Sequence, residues 1–161
     1  MKITLIPALV LTATLWSCSS SKPSVPKTSS MVATTQLKEP VEGVCDMEHV
    51  YHLMPFFGED QVEAVPNLTE EQLQEKLNAE VSFLKDHPGH EDKGMIFILV
   101  NCKGEMVQVK MDNETQSPEL DAQIVAVFEQ LTDWKAGTLG GKSVDTSLLF
   151  SFTIEDGKIT L

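Results

Sequence analysis

Cys45, Asp46, Glu48, His49 and His52 fall within a few positions of one another, and His87, His90, Glu91 and Asp92 form a second group. Thiolate, imidazole and carboxylate are the ligands zinc takes from proteins. Cys45 and His49 stand four apart, the spacing that brings two side chains to one face of a helix. No HExxH helix, CxxC pair or second dense ligand set accompanies either group. The first therefore reads as a segment packed against a sheet, the second as a solvated acidic loop, and no metal and no cofactor are assigned. Nucleophile chemistry is equally bare. The serines lie in a linker or on strands without a partnered histidine, no glycine-rich phosphate cradle follows a strand, and the carboxylates are spread over polar faces. The chain reads as a non-enzyme.

What surrounds these residues is a delivery system. Lys2 precedes an apolar stretch over residues 3–15, too short to span a bilayer, and the whole reads as an export signal over residues 1–17. Its last residues, Leu15-Trp16-Ser17-Cys18, resemble a bacterial lipobox, with bulky Trp16 as a departure. That resemblance implies that Cys18 becomes the first residue and carries fatty acyl chains such as palmitate, enough buried methylene for stable anchoring. Residues 18–40, rich in Ser, Thr, Lys and Pro, read as a disordered tether with a reach on the order of 75 Å. With Cys18 lipidated, Cys45 and Cys102 remain as a pair in an oxidising compartment. A disulfide between them is one reading; two buried thiols, or one free, is the other.

With 161 residues, 42% hydrophobic and 22% charged, the chain fits one domain plus tails. Its formal charge of −12 argues against nucleic acid and against a polybasic grip on anionic lipid. Thr69-x-x-Gln72 is a capping-box pattern, followed by Leu73, Leu77, Val81 and Leu84 on one helical face, and residues 86–89 stop that helix. Residues 95–100 are an unbroken apolar, β-branched run, a strand covered on both faces. After Lys103-Gly104, Val107, Val109 and Met111 alternate with polar residues, so the two runs form a hairpin. Ser117 and Pro118 start a second helix with the stripe Leu120, Ile124, Val127, Phe128 and Leu131. A glycine-rich loop then leads to a last strand of period two, Leu148 to Ile154.

Residues 94–154 resemble the C-terminal domain of TonB-type energy transducers and their relatives, in the form whose helix-to-strand loop reads close to W-K-P-G-x-x-x-G-K-P-V. Here the loop is Trp134-Lys135-Ala136-Gly137-Thr138-Leu139-Gly140-Gly141-Lys142-Ser143-Val144, with full spacing but Ala136 and Ser143 in place of the prolines. Gly104 falls at the family's glycine turn and Leu120-Asp121 at its helix start. Pro88 matches a frequent proline, and Pro55-Phe56-Phe57-Gly58-Glu59 matches weakly a P-x-F-x-G-G motif. The resemblance implies an α+β, two-layer domain over residues 41–161, with a small antiparallel sheet of about three strands on two helices. It implies structural roles for Gly104, Leu120, Trp134, Gly137 and Gly141.

It also implies a peptide-binding sheet edge on the last strand, at Ser147, Leu149, Ser151 and Thr153, where an extended segment adds as a strand. Residues 156–161 could fold back as a hairpin over that edge. Transducers keep an uncleaved membrane-spanning helix and a long spacer, so this chain departs from the energy-coupling role. The expected function is a lipid-anchored, periplasm-facing interaction module of the cell envelope, at the outer membrane, holding an envelope or outer-membrane protein or, as a homodimer, itself. The alternative is a structural or thiol/disulfide-dependent envelope protein that uses the fold as scaffold.

Overall fold

The structure, a computed structural model, describes residues 32–54 and 60–161. Cys18, the export signal, residues 19–31 of the tether and the 55–59 motif lie outside the described residues. In chain order the elements are β1 (Ala33–Thr35), β2 (Val50–His52), β3 (Gln61–Val62), α1 (Glu70–Glu80), α2 (Phe83–Asp86), β4 (Asp92–Val100), β5 (Met106–Asn113), α3 (Pro118–Glu129), β6 (Gly137–Leu139), β7 (Lys142–Val144), β8 (Thr146–Glu155) and β9 (Lys158–Thr160).

Both long helices start at side-chain caps. Thr69 accepts the Gln72 N–H and the Gln72 side chain accepts the Thr69 N–H, each filling a backbone group the first turn leaves open. Ser117 Oγ accepts the Leu120 N–H with Pro118 at the first helical position. The first helix is shorter than its apolar spacing suggests. Val81 leaves helical geometry and Leu84 sits on the separate turn α2. Gln123 Oε1 on α3 takes the N–H of Phe83 and the hydroxyl of Ser82, which ties the break to the neighbouring helix.

The main sheet is mixed and runs β1-β2-β8-β4-β5, with β9 also paired to β8. Its long strands β5, β4 and β8 are antiparallel neighbours; β2 joins β8 in parallel at Tyr51↔Thr146. A second sheet, β3-β6-β7, places β6 and β7 in the stretch read as a glycine-rich loop and pairs β6 with β3. The α+β class therefore stands, but the sheet has six strands where about three were expected, and α2 makes a third helix among the described residues. The extra strands have two or three residues each, too few for a period of two to register.

One continuous core lies between the sheet and the helices. Ile96, Ile98 and Val100 of β4 and Leu148, Phe152 and Ile154 of β8 meet Leu120, Ile124, Val127 and Phe128 of α3 and Leu73 and Leu77 of α1. Two motif glycines are needed by their neighbours. Gly104 has φ +81°, and a Cβ there would collide with the Trp134 carbonyl oxygen; a Cβ on Gly137 would collide with the Thr146 methyl and crowd Leu53. Leu120 and Trp134 are buried, and the Trp134 indole N–H donates to the Leu131 carbonyl. Gly141 takes positive φ in the β6–β7 turn.

Candidate functional site

Ser147, Leu149, Ser151 and Thr153 are alternate residues of β8, and the structure places them between two short strands rather than along an open rim. β4 pairs with β8 from Thr146 to Ile154 on one side. On the other, the Tyr51 N–H donates to the Asp145 carbonyl, and Thr153 pairs with Thr160 of β9. Since backbone groups alternate sides along a strand, those of residues 147, 149, 151 and 153 all point away from β4. Ser147 is taken by β2: its carbonyl accepts a hydrogen bond from His52 Nδ1 at 3.1 Å. Among the described residues, the supposed edge is thus a window at Leu149 and Ser151. The correction has a physical cause in strand closure: residues 156–161 do fold back, through the Asp156-Gly157 turn, and cover the C-terminal third.

β9 is itself sealed. Asn78 of α1 presents its carboxamide like a strand, accepting the Ile159 N–H and donating to the Ile159 carbonyl, both at 2.8 Å, and Gln74 accepts the Leu161 N–H. β5 forms one rim of the sheet over eight residues, yet its ladder slips at both ends and Lys110 projects over the Phe97 ring, 5.2 Å from its centroid. Bulges and a lysine are the usual devices that discourage another strand from adding.

Beside the β8 window, on the helix side, lies a cleft of about 270 Å³. Leu148 and Phe150, which flank Leu149, form its floor together with Leu73 of α1; Ala64, Val65 and Leu68 from the β3–α1 connection line it too. Val65 is 45% exposed, and so is Leu149 on the opposite face of the strand. Exposed main chain next to an apolar cleft can hold an extended segment by backbone hydrogen bonds and one inserted side chain.

The other constellation is a knot that sequence reading only half saw. Cys45 and Cys102 form a disulfide with 6.1 Å between Cα atoms, tying the segment before β2 to the β4–β5 turn. Beneath it sits Asp145, 2% exposed. Its Oδ1 accepts the N–H groups of Cys45 at 3.1 Å and Cys102 at 3.0 Å, and its Oδ2 accepts that of Asp46 at 2.6 Å. Asn101, fully buried, completes the junction: its Oδ1 shapes the turn by accepting the Lys103 and Glu105 N–H groups, while Nδ2 donates to the Gly43 carbonyl. Nothing marked Asp145 in the sequence, because a lone aspartate before a strand looks like any loop residue.

The remaining candidates diverge. His49 Nδ1 faces Asp46 at 3.0 Å while His52 turns to Ser147, so the 45–52 group shares no common centre. The N–H of Glu48 and the His49 ring hold the Asp46 carboxyl below the usual aspartate range. His87 stacks on Phe83 and donates to the Phe83 carbonyl; His90 meets the same ring edge-on and points Nε2 at Asp92, 3.3 Å away. Burial pushes Asp92 up, but N–H groups of Gln116 and Lys93 and the His90 ring outweigh it and keep the carboxyl below the usual range. Among the described residues, the atoms of Cys45, Cys102 and Asp145 are the one set of three such ligands lying within 4.8 Å of each other. Compared with known proteins, the chain matches no family model, no curated protein and no solved structure.

Proposed function

We propose that the chain is a TonB C-terminal-like, lipid-anchored interaction module of the bacterial envelope, facing the periplasm from the outer membrane. It holds an extended segment of an envelope protein, or of a second copy, at the β8 window. The observation that carries this reading is the main chain of the exposed residues Leu149 and Ser151, which among the described residues has no strand partner on the side away from β4, next to the cleft lined by Leu148 and Phe150. Main-chain bonds supply affinity in this mode and the side-chain pocket supplies selectivity. The window is two residues long, so the module grips a short stretch and is not built to bear the pull of an energy transducer. Among the described residues no helix is long and apolar enough to cross a membrane, and attachment falls to Cys18.

Two measurements test this. A photo-crosslinking side chain at Leu149, in cells, should give a discrete adduct that the same group at Gln108 on β5 does not; equal labelling at both would remove the window from the argument. Intact mass of the envelope form should show an acylated chain beginning at Cys18, and a chain still starting at Met1 would remove the anchor. The second reading, a disulfide-stapled scaffold, is favoured by the Cys45–Cys102 knot itself. It expects no adduct at Leu149.

A further inference from the structure

We propose that the Cys45–Cys102 disulfide closes a latent metal site, which on reduction binds one zinc ion through Cys45 Sγ, Cys102 Sγ and the Asp145 carboxylate. Three observations carry this, none of them shared with the peptide-binding reading. All three ligand atoms already lie within 4.8 Å of one another. They come from three separate stretches of chain, and each is held by the fold: Asn101 and the β4–β5 turn place Cys102, the Gly43 contact and the Asp145 bonds place Cys45, and the start of β8 places Asp145. Finally, Asp145 is a buried carboxylate with no lysine or histidine in ion-pair distance among the described residues. Buried carboxylates are otherwise paired with a cation or coordinate a metal. Among the described residues its Oδ2 accepts one N–H, from Asp46, and so keeps a lone pair for a ligand role.

The chemistry balances with a dithiol as reductant. The dithiol passes two electrons and two protons to the S–S bond, which breaks into two thiols, and is itself oxidised to a disulfide. Zinc then displaces both thiol protons to solvent. Two thiolates and a carboxylate bring three negative charges to one point, and a divalent cation neutralises most of that charge where N–H donors alone do not. Two sulfurs and one oxygen form a zinc donor set, with water in the fourth, open position. Cys45 is exposed and Cys102 half-buried, so both reductant and metal can reach the site.

The test uses the purified chain, reduced with a trialkylphosphine. That reagent takes oxygen from water as it is oxidised and leaves no competing thiol. Zinc binding is read by competition with a chromogenic chelator, and cobalt(II) serves as a spectroscopic stand-in whose near-ultraviolet charge-transfer band reports thiolate ligands. The reduced chain should bind one zinc per molecule and show the band, and the oxidised chain should do neither. Asp145→Asn should weaken zinc binding by at least about tenfold, the loss seen when even outer-shell partners of metal sites are changed. Cys45→Ser, which keeps Asp145 and its N–H donors, should weaken binding by at least as much and reduce the cobalt band. No stoichiometric zinc in the reduced chain overturns the proposal. Equal binding by the oxidised chain overturns it too, since that is adventitious binding to an acidic surface, as does unchanged affinity in Cys45→Ser.

Discussion

The helix-covered face of the main sheet and the segment that carries β1 and β2 are held by different physics. The first is an area effect: Ile96, Ile98, Leu120, Ile124 and Phe128 are at most 1% exposed and gain stability in proportion to the apolar surface removed from water. The second has Val50 and Leu53 buried, but its path is set by point contacts: one disulfide, one carboxylate, one asparagine and a single parallel bridge. Area burial tolerates a small rearrangement, because the surrounding side chains share the loss. A point contact does not, because its worth depends on one donor meeting one acceptor. The window sits at the seam between the two regions, where β2 ends and β9 has not yet begun.

That contrast can be broken by substitution. Phe128→Ala, in the middle of the shared core, should cost about 3–5 kcal/mol of unfolding free energy by chemical denaturation, felt across the whole domain. Cys45→Ser with Cys102→Ser should cost about 2–4 kcal/mol. Hydrogen exchange should accelerate first at the Tyr51 amide, and if Phe128 on α3 loosened equally, the two regions would not be separable. Asp145→Ala leaves the Cys45, Asp46 and Cys102 N–H groups without their acceptor and should cost about 1–3 kcal/mol, again with the earliest loss of protection at the β2 end. Asn78→Ala removes the seal on β9 and should cost about 1 kcal/mol. It should also widen the window towards Thr153, seen as faster exchange at Thr153 and Thr160 than at Ser147.

The smallest effect concerns pH. Asp92 has a folded pKa below its unfolded value. Its contribution is therefore fully present above the ordinary aspartate range and is lost as acid carries the folded carboxyl through its lower value. Stability of the wild type should fall with acidification below that range more steeply than stability of Asp92→Asn. Parallel curves would mean that the N–H groups of Gln116 and Lys93 contribute no linkage.

Much of the helix-side architecture is legible in the sequence. Leu120, Ile124, Val127, Phe128 and Leu131 announce their face by spacing, and Thr69 and Ser117 announce the helix starts by chemistry that works within one turn. Cys45 and Cys102 could be paired only as a possibility, since cysteine count does not give geometry. Of the four β8 residues expected to form an edge, Thr153 pairs with Thr160 and the Ser147 carbonyl meets His52. Whether Leu149 and Ser151 are open depends on where His52 and Thr160 come to lie, and both sit on strands of three residues, too short to register as a pattern.

From its residues alone the chain determined its α+β class, its two long amphipathic helices, the β4–β5 hairpin and the strand of period two, because these follow from periodicity and capping within a few residues. Only the tertiary structure decided that β8 is flanked on both sides, that Asn78 closes β9, and that Asp145 lies beneath the Cys45–Cys102 bond. The last two each depend on a single polar group finding partners dozens of residues away, and the first on where short strands come to lie. A local pattern in sequence records what a residue does to its neighbours in the chain, and carries no mark of a partner that only folding brings near.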